Sequence, residues 1–171
     1  KLEQEYVGYS IITFDEASFR LVPVYRRVWF FKGEKPKGVF FWSNKKLIIF
    51  GALIDGNKLF YEFYDSMNSM TYKAFLSDFI GQLSNGKYVF LFDNAPYHKS
   101  STIKKYLAEF ANISVEFFPP YSPELNPTET CWKVTRANVT NSTYYSDLDS
   151  MQESIEKFLN GHFFMLNVSN Y

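Results

Sequence analysis

The sequence predicts an α/β domain, and three observations carry that reading. The strand-like and helix-like runs fall in the order three strands, helix, strand, helix, strand; 46% of residues are hydrophobic and 20% aromatic; and 171 residues suffice for one core but are hard to divide into two. Such a composition excludes a disordered chain, which lacks the apolar surface to offset ordering entropy. One domain spanning residues 1–171 is therefore expected.

Each element has its own signal. Residues 7–14 form a β-rich run that stops on Asp15-Glu16, and residues 46–54 and 58–64 form two more, separated by Asp55-Gly56-Asn57, a hairpin turn. Phe75, Leu76, Phe79, Ile80 and Leu83 recur at helical spacing over 70–83, and Gly86 follows as a stop. Residues 87–93 are a continuous apolar run suited to a strand covered on both faces. A second helix is expected over about 101–110 and a further strand over 113–118. Four prolines within 119–127 then force an extended connector, after which Asn126 and Pro127 fit the cap and first position of a helix. An amphipathic helix over about 147–164 presents Met151, Ile155, Phe158, Leu159 and Phe163 on one face.

Composition also excludes functions. Eighteen basic residues balance eighteen acidic ones, which argues against a histone-like or tail-type nucleic-acid binder. Cys131 is the single cysteine, so no internal disulfide or cysteine metal cluster is possible, and it reads as a small semi-buried hydrophobe in a reducing compartment. No apolar stretch is long enough to span a bilayer and no signal-peptide architecture is present, so a cytoplasmic protein without membrane partners is expected. Four Asn-x-Ser/Thr triplets are read as chance, and the absence of an initial Met suggests a piece of something longer.

Three carboxylates sit where elements end or begin: Asp15 after the first strand, Asp93 after the central apolar strand, and Glu129 in the first turn after the connector. In open α/β sheets ligands lie beyond the carboxyl ends of strands, so these groups can converge there. Oxygen ligands suit Mg²⁺ or Mn²⁺, and a pair of such ions can serve both the attacking and the leaving oxygen of a phosphodiester. Each residue also has a plainer role: Asp15 and Asp93 as strand terminators, Glu129 as a capping-box glutamate, Asn94 as a turn residue and His98 as the start of the next helix. Strand alternation points Glu16 away from Asp15, and it is expected to pair with a nearby Arg.

Phe14-Asp15-Glu16, then Asp93-Asn94-Ala95-Pro96-Tyr97-His98, then Pro119-Pro120-Tyr121-Ser122-Pro123-Glu124-Leu125-Asn126-Pro127-Thr128-Glu129 with Trp132 together resemble the DDE transposases of the mariner superfamily, in its prokaryotic insertion-sequence branch. The resemblance runs from about Ile11 to Arg136, with 35 residues between Asp93 and Glu129, and departs at Thr128, where the family commonly has an aliphatic residue. It implies a ribonuclease H-like fold, a mixed five-stranded sheet with helices on both faces. It further implies a catalytic site of Asp15, Asp93 and Glu129 holding two Mg²⁺ or Mn²⁺ ions, DNA strand cleavage and transfer at transposon ends, and a homodimer in the active DNA complex, at the nucleoid if the source is prokaryotic. Asn94 and His98 would support the metals or contact DNA. Relatives carry a helix-turn-helix region ahead of the catalytic domain, so specific end recognition is expected on residues absent from this chain. Rival readings are a ribonuclease H-like nuclease and a catalytically silent DNA-binding or self-associating fragment.

Neutrality hides an uneven charge distribution. Residues 20–46 carry Arg20, Arg26, Arg27, Lys32, Lys35, Lys37, Lys45 and Lys46 against Glu34 alone, a local charge of +7 that leaves −7 elsewhere. Interleaved aromatics such as Trp29, Phe30 and Trp42 suit phosphate contact with base stacking, although solvated hairpin edges would give the same pattern. By the resemblance, residues about 20–42 form an insertion that contacts DNA, a second subunit, or both.

Overall fold

The computed structural model describes residues 5–22, 31–33, 43–141 and 143–168. Five strands, β1 (Ser10–Arg20), β2 (Lys46–Ile54), β3 (Lys58–Tyr64), β4 (Tyr88–Phe92) and β5 (Ile113–Phe117), form one sheet in the order β3-β2-β1-β4-β5. The β1–β2 and β2–β3 pairs are antiparallel, while β4 and β5 run parallel to β1. The β2–β3 hairpin turns on Asp55 and Gly56, both at positive φ (47° and 73°), the conformation an Asp-Gly turn supplies cheaply.

Alternation along the strands divides the core. Ile12 and Phe14 of β1 with Phe50 of β2 and Phe90 and Phe92 of β4 pack against α1 (Ser69–Gly81) and α2 (Ser101–Leu107). Ala17 and Phe19 with Ile49 and Leu53 pack on the opposite face against α3 (Pro127–Thr135) and α4 (Leu148–Gly161). Helices thus cover both faces, as the sequence implied. α1 starts on a capping box, Asn68 accepting from Met70 and Thr71 N–H while the Thr71 hydroxyl accepts from Asn68 N–H. α3 starts on Asn126, with Pro127 at its first position, and runs on into a π turn, Arg136–Thr140.

Several boundaries differ from expectation. β1 does not end at Asp15 but continues through Arg20, because β2 pairs with it as far as Arg20–Lys46 and carries the polar Asp15-Glu16 step in mid-strand. α2 closes at Leu107, capped by Ala108, to let the chain turn into β5. α4 closes at Gly161, so Phe163 lies beyond it and is 90% exposed. The backbone beyond α4 instead runs extended past the hairpin, where Leu166 N–H donates to Gly56 O. No helix among the described residues is long and apolar enough to cross a membrane.

Gly51, paired with Asp15 across β1–β2, is a position of close approach: a Cβ there would collide with the buried Trp132 ring of α3. Gly51→Ala is therefore expected to cost about 1–3 kcal/mol, as overpacked cores do. At this chain length that corresponds to a loss of very roughly 2–12 °C in Tm by calorimetry.

Candidate active site

Register brings the two aspartates together. β1 and β4 pair in parallel from Ser10–Tyr88 to Thr13–Leu91, and the same offset carried two residues further sets Asp15 beside Asp93. Pairing stops at Thr13–Leu91, so both carboxylates stand where neighbouring parallel strands part, the place where open α/β sheets bind ligands. One oxygen each from Asp15, Glu16 and Asp93 lie within 4.8 Å of one another.

Glu129, in the first turn of α3, lies outside that 4.8 Å group but lines the same cleft. Asn126 Nδ2 donates to Phe14 O (2.9 Å), and Thr128 Oγ1 donates to Thr13 O (2.8 Å) and lies 2.7 Å from Thr13 Oγ1. These buried bonds fasten the start of α3 to the residues just ahead of Asp15. Thr128, the departure from the family pattern, thus finds a hydroxyl partner in β1. Asp15, Asp93 and Glu129 line one cleft of ≈ 400 Å³, walled by the proline-rich connector. Tyr121 stands on its rim, fully exposed and at φ 59°. The capping-box role for Glu129 is not what the structure shows: Asn126 N–H bonds Pro123 O, and Glu129 Oε1 lies 3.3 Å from Lys133 Nζ, one helical turn on.

The electrostatics are those of crowded carboxylates. Burial, then the charges of Glu16, Asp93 and Glu129, push the Asp15 carboxyl well above the usual carboxylate range. Burial acts on Asp93 in the same direction, but the close His98 imidazole, the Ala95 N–H bond and the nearby Lys99 charge outweigh it and hold its carboxyl below that range. Burial disfavours a charged His98, yet bonding to Asp93 and Glu16 pushes it up to about 9. Its Nε2 lies 2.9 Å from Glu16 Oε1, and its Nδ1 makes an ion-pair contact of 2.6 Å with Asp93 Oδ1 that is not aligned as a hydrogen bond.

Several expectations are refined. Glu16 does face away from Asp15's side of the sheet, toward α1, but its partner is His98 and not an arginine. The arginine near the site is Arg136, which feels Asp15 and Glu129, stacks its guanidinium over Phe19 and donates to Ser18 O (3.5 Å). Asn94 lines the cleft, but its amide is spent elsewhere: Nδ2 donates to Phe118 O (2.7 Å), and Oδ1 accepts from Lys99 Nζ (2.5 Å), pinning the start of the connector. Trp132 is packing, and Cys131 is fully buried, its thiol pushed by burial up to about 12. Of the basic set, Arg20, Lys32, Lys45 and Lys46 are exposed, with Arg20 directly across from Lys46 at the end of the β1–β2 ribbon. Arg26, Arg27, Lys35 and Lys37, and so most of the insertion at 20–42, lie outside the described residues.

Sheet order, parallel splay and acidic cleft together define a ribonuclease H-like domain with an oxygen-rich site. The family model for DDE superfamily endonucleases matches residues 10–152, and the chain belongs to that family. It is 25% identical over 147 residues to the insertion element IS630 uncharacterized 39 kDa protein of Shigella sonnei, covering 85% of this chain and 43% of that protein. It is 29% identical over 115 residues to the transposable element Tc3 transposase of Caenorhabditis elegans, covering 64% of this chain and 35% of that one. Its fold is similar to that in the Mos1 mariner paired end complex with Mn, at TM-score 0.73 and 18% identity over 90% of this chain and 48% of that one. The chain thus spans less than half the length of these relatives.

Proposed function

We propose that this chain is the catalytic core of a transposase that cleaves DNA at element ends and joins the freed end to target DNA, with Asp15, Asp93 and Glu129 as its catalytic carboxylates. The observation that carries this is the register: Asp15 and Asp93 extend a parallel pair beyond its last hydrogen bonds, and buried bonds from Asn126 and Thr128 bring Glu129 to the same cleft. The donor set fits a hard divalent cation: it is all oxygen, and Asp15 itself, crowded by Glu16, Asp93 and Glu129, has no cationic partner within ion-pair distance among the described residues. Bound there, Mg²⁺ or Mn²⁺, two ions in this reading, would supply Lewis-acid activation of the attacking oxygen and charge stabilisation at the leaving oxygen.

The chain's own groups do the positioning. Asp93 is kept ionised by His98 and Ala95 N–H, Asp15 stands at its side, and Glu129 is presented from a capped helix whose dipole favours its charge. Lys133, on the same helix face as Glu129, is placed to meet a phosphate once Glu129 turns to a cation. The Arg20–Lys46 pair with Lys45 places like charges side by side, an arrangement a polyanion relieves. It lies about 16 Å along β1 from Asp15 at ~3.3 Å per residue. In this reading two copies act together on element ends, and the protein works where the cell's DNA lies.

Strand transfer is the discriminating test. The full-length protein with element-end DNA and Mg²⁺ is expected to yield joined products, whereas a plain nuclease yields cut ends alone. Replacing Arg20, Lys45 and Lys46 together by Ala is expected to weaken DNA binding and to lower the slope of log K against log salt by up to about 2.7, from ~0.9 for each phosphate no longer neutralised. An unchanged slope removes these residues from the DNA path.

A further inference from the structure

Glu16 is a buried charge that the proposed chemistry does not use. Its side chain is 5% exposed, on the face of β1 that packs against α1, and no arginine or lysine pairs with it among the described residues. A carboxylate in an apolar setting is costly unless its oxygens are bonded. Here the bond comes from one short segment: His98 Nε2 lies 2.9 Å from Glu16 Oε1, and the neighbouring Tyr97 feels the Glu16 charge. The imidazole is itself 1% exposed and held among Tyr72, Tyr97 and Phe92, with ring centroids at 4.4, 4.5 and 5.3 Å. Packing alone does not choose between the two flipped orientations of such a ring; an acceptor on each nitrogen does.

The geometry points to Glu16 as a positioning residue that acts through His98 to fix the Asp93 carboxylate. With Nε2 tied to Glu16, Nδ1 is directed to Asp93 Oδ1, which also accepts from Ala95 N–H at 2.9 Å. The imidazole contact and the Ala95 N–H bond both fall on Oδ1, so the carboxylate is held against rotation about its Cβ–Cγ bond and Oδ2 is the oxygen left for a cation. Carboxylate–histidine chains behind a metal ligand orient it in this way, and losing the outer member typically weakens metal binding 10–100-fold. The assignment rests on Asp93 being a metal ligand. It differs from Glu16 being a ligand itself, a role suggested by its oxygen lying within 4.8 Å of those of Asp15 and Asp93 but opposed by its engagement with His98.

The test is direct Mn²⁺ binding to the 171-residue chain, read from the electron paramagnetic resonance signal of free Mn²⁺, for the wild type, Glu16→Gln and Glu16→Leu. Glu16→Gln keeps an acceptor for Nε2–H and is expected to bind within about threefold of wild type, whereas Glu16→Leu, similar in size but without an acceptor, should bind about 10–100-fold more weakly. Wild-type affinity in a folded Glu16→Leu overturns the proposal. So does a Glu16→Gln as impaired as Asp93→Asn, which would make Glu16 a ligand. Should Glu16→Leu fail to fold, nitrogen-15 spectra of the wild type decide. The chain has two histidines, and Mg²⁺ is expected to shift both ring nitrogens of His98 while leaving His162 in place; an unmoved His98 at saturating Mg²⁺ rejects the relay. Wild-type protein that binds no Mn²⁺ would remove the metal reading as well, while binding indifferent to Glu16 removes this inference alone.

Discussion

Asp93→Asn is expected to leave the fold intact and to reduce Mg²⁺-dependent cleavage of element-end DNA by the full-length protein at least about 10³-fold, or roughly 4 kcal/mol of barrier. Asparagine has nearly the shape of aspartate, and its amide oxygen can still accept from Ala95 N–H, so the turn after β4 survives. What disappears is charge: the carboxylate that stands beside Asp15, which is also one of the two anionic neighbours of His98. Circular dichroism matching wild type with cleavage gone would fit the assignment. Undiminished cleavage would sink it. Glu129→Gln should behave alike in cleavage, with a smaller structural effect, since its ion pair with Lys133 is a half-exposed i,i+4 contact worth only about 0.3–0.5 kcal/mol.

How far such a site can be read from sequence depends on which residues report on local and which on distant structure. β2 and β3 are legible to the residue because the Asp55-Gly56 turn marks their join and both strands carry dense β-formers. Asn126 and Pro127 announce the start of α3 for an equally local reason. β1 is misread because its polar Asp15-Glu16 step imitates a strand end; the backbone continues there only because β2 pairs with it, which no local pattern reveals. The parallel partner does stop at Thr13, so the expected break exists on the β4 side alone.

Side-chain partners are harder still. Alternation gives the direction of Glu16 correctly but not what waits on that face, since His98 arrives from a loop 82 residues away. The Thr13–Thr128 contact is similarly invisible, because neither threonine is unusual in its own element. The order of short motifs names the family without supplying these distances.

Removing the Asp15 charge is expected to raise the stability of the metal-free protein while ending its response to metal. Asp15 has a folded-state carboxyl pKa well above its unfolded value, the reverse of the usual aspartate. Folding therefore takes up a proton between those two pKa values, so stability is greatest below the unfolded value near 4 and falls by up to ~1.4 kcal/mol per pH unit as pH rises toward the folded value. His98 adds in the same direction at higher pH: its stabilising charge is complete below about 6.5 and is lost as pH rises through about 9. Asp93 works oppositely, its depressed pKa giving stability that is present above the unfolded value and lost as pH falls through the folded one. Asp15→Asn deletes the first effect, so at neutral pH the metal-free variant should melt a few degrees higher, for a gain of about 0.5–2 kcal/mol. In the wild type, Mn²⁺ at 100 times its Kd should add about 2.7 kcal/mol of stability, and the increment should grow with pH as the displaced proton becomes easier to lose. In Asp15→Asn both the increment and its pH dependence should largely vanish. Thermal melts at pH 6, 7 and 8 with and without Mn²⁺ measure all of this. A variant less stable than wild type yet still strongly stabilised by Mn²⁺ would mean that Asp15 is a structural polar group and that the cation, if any, sits elsewhere.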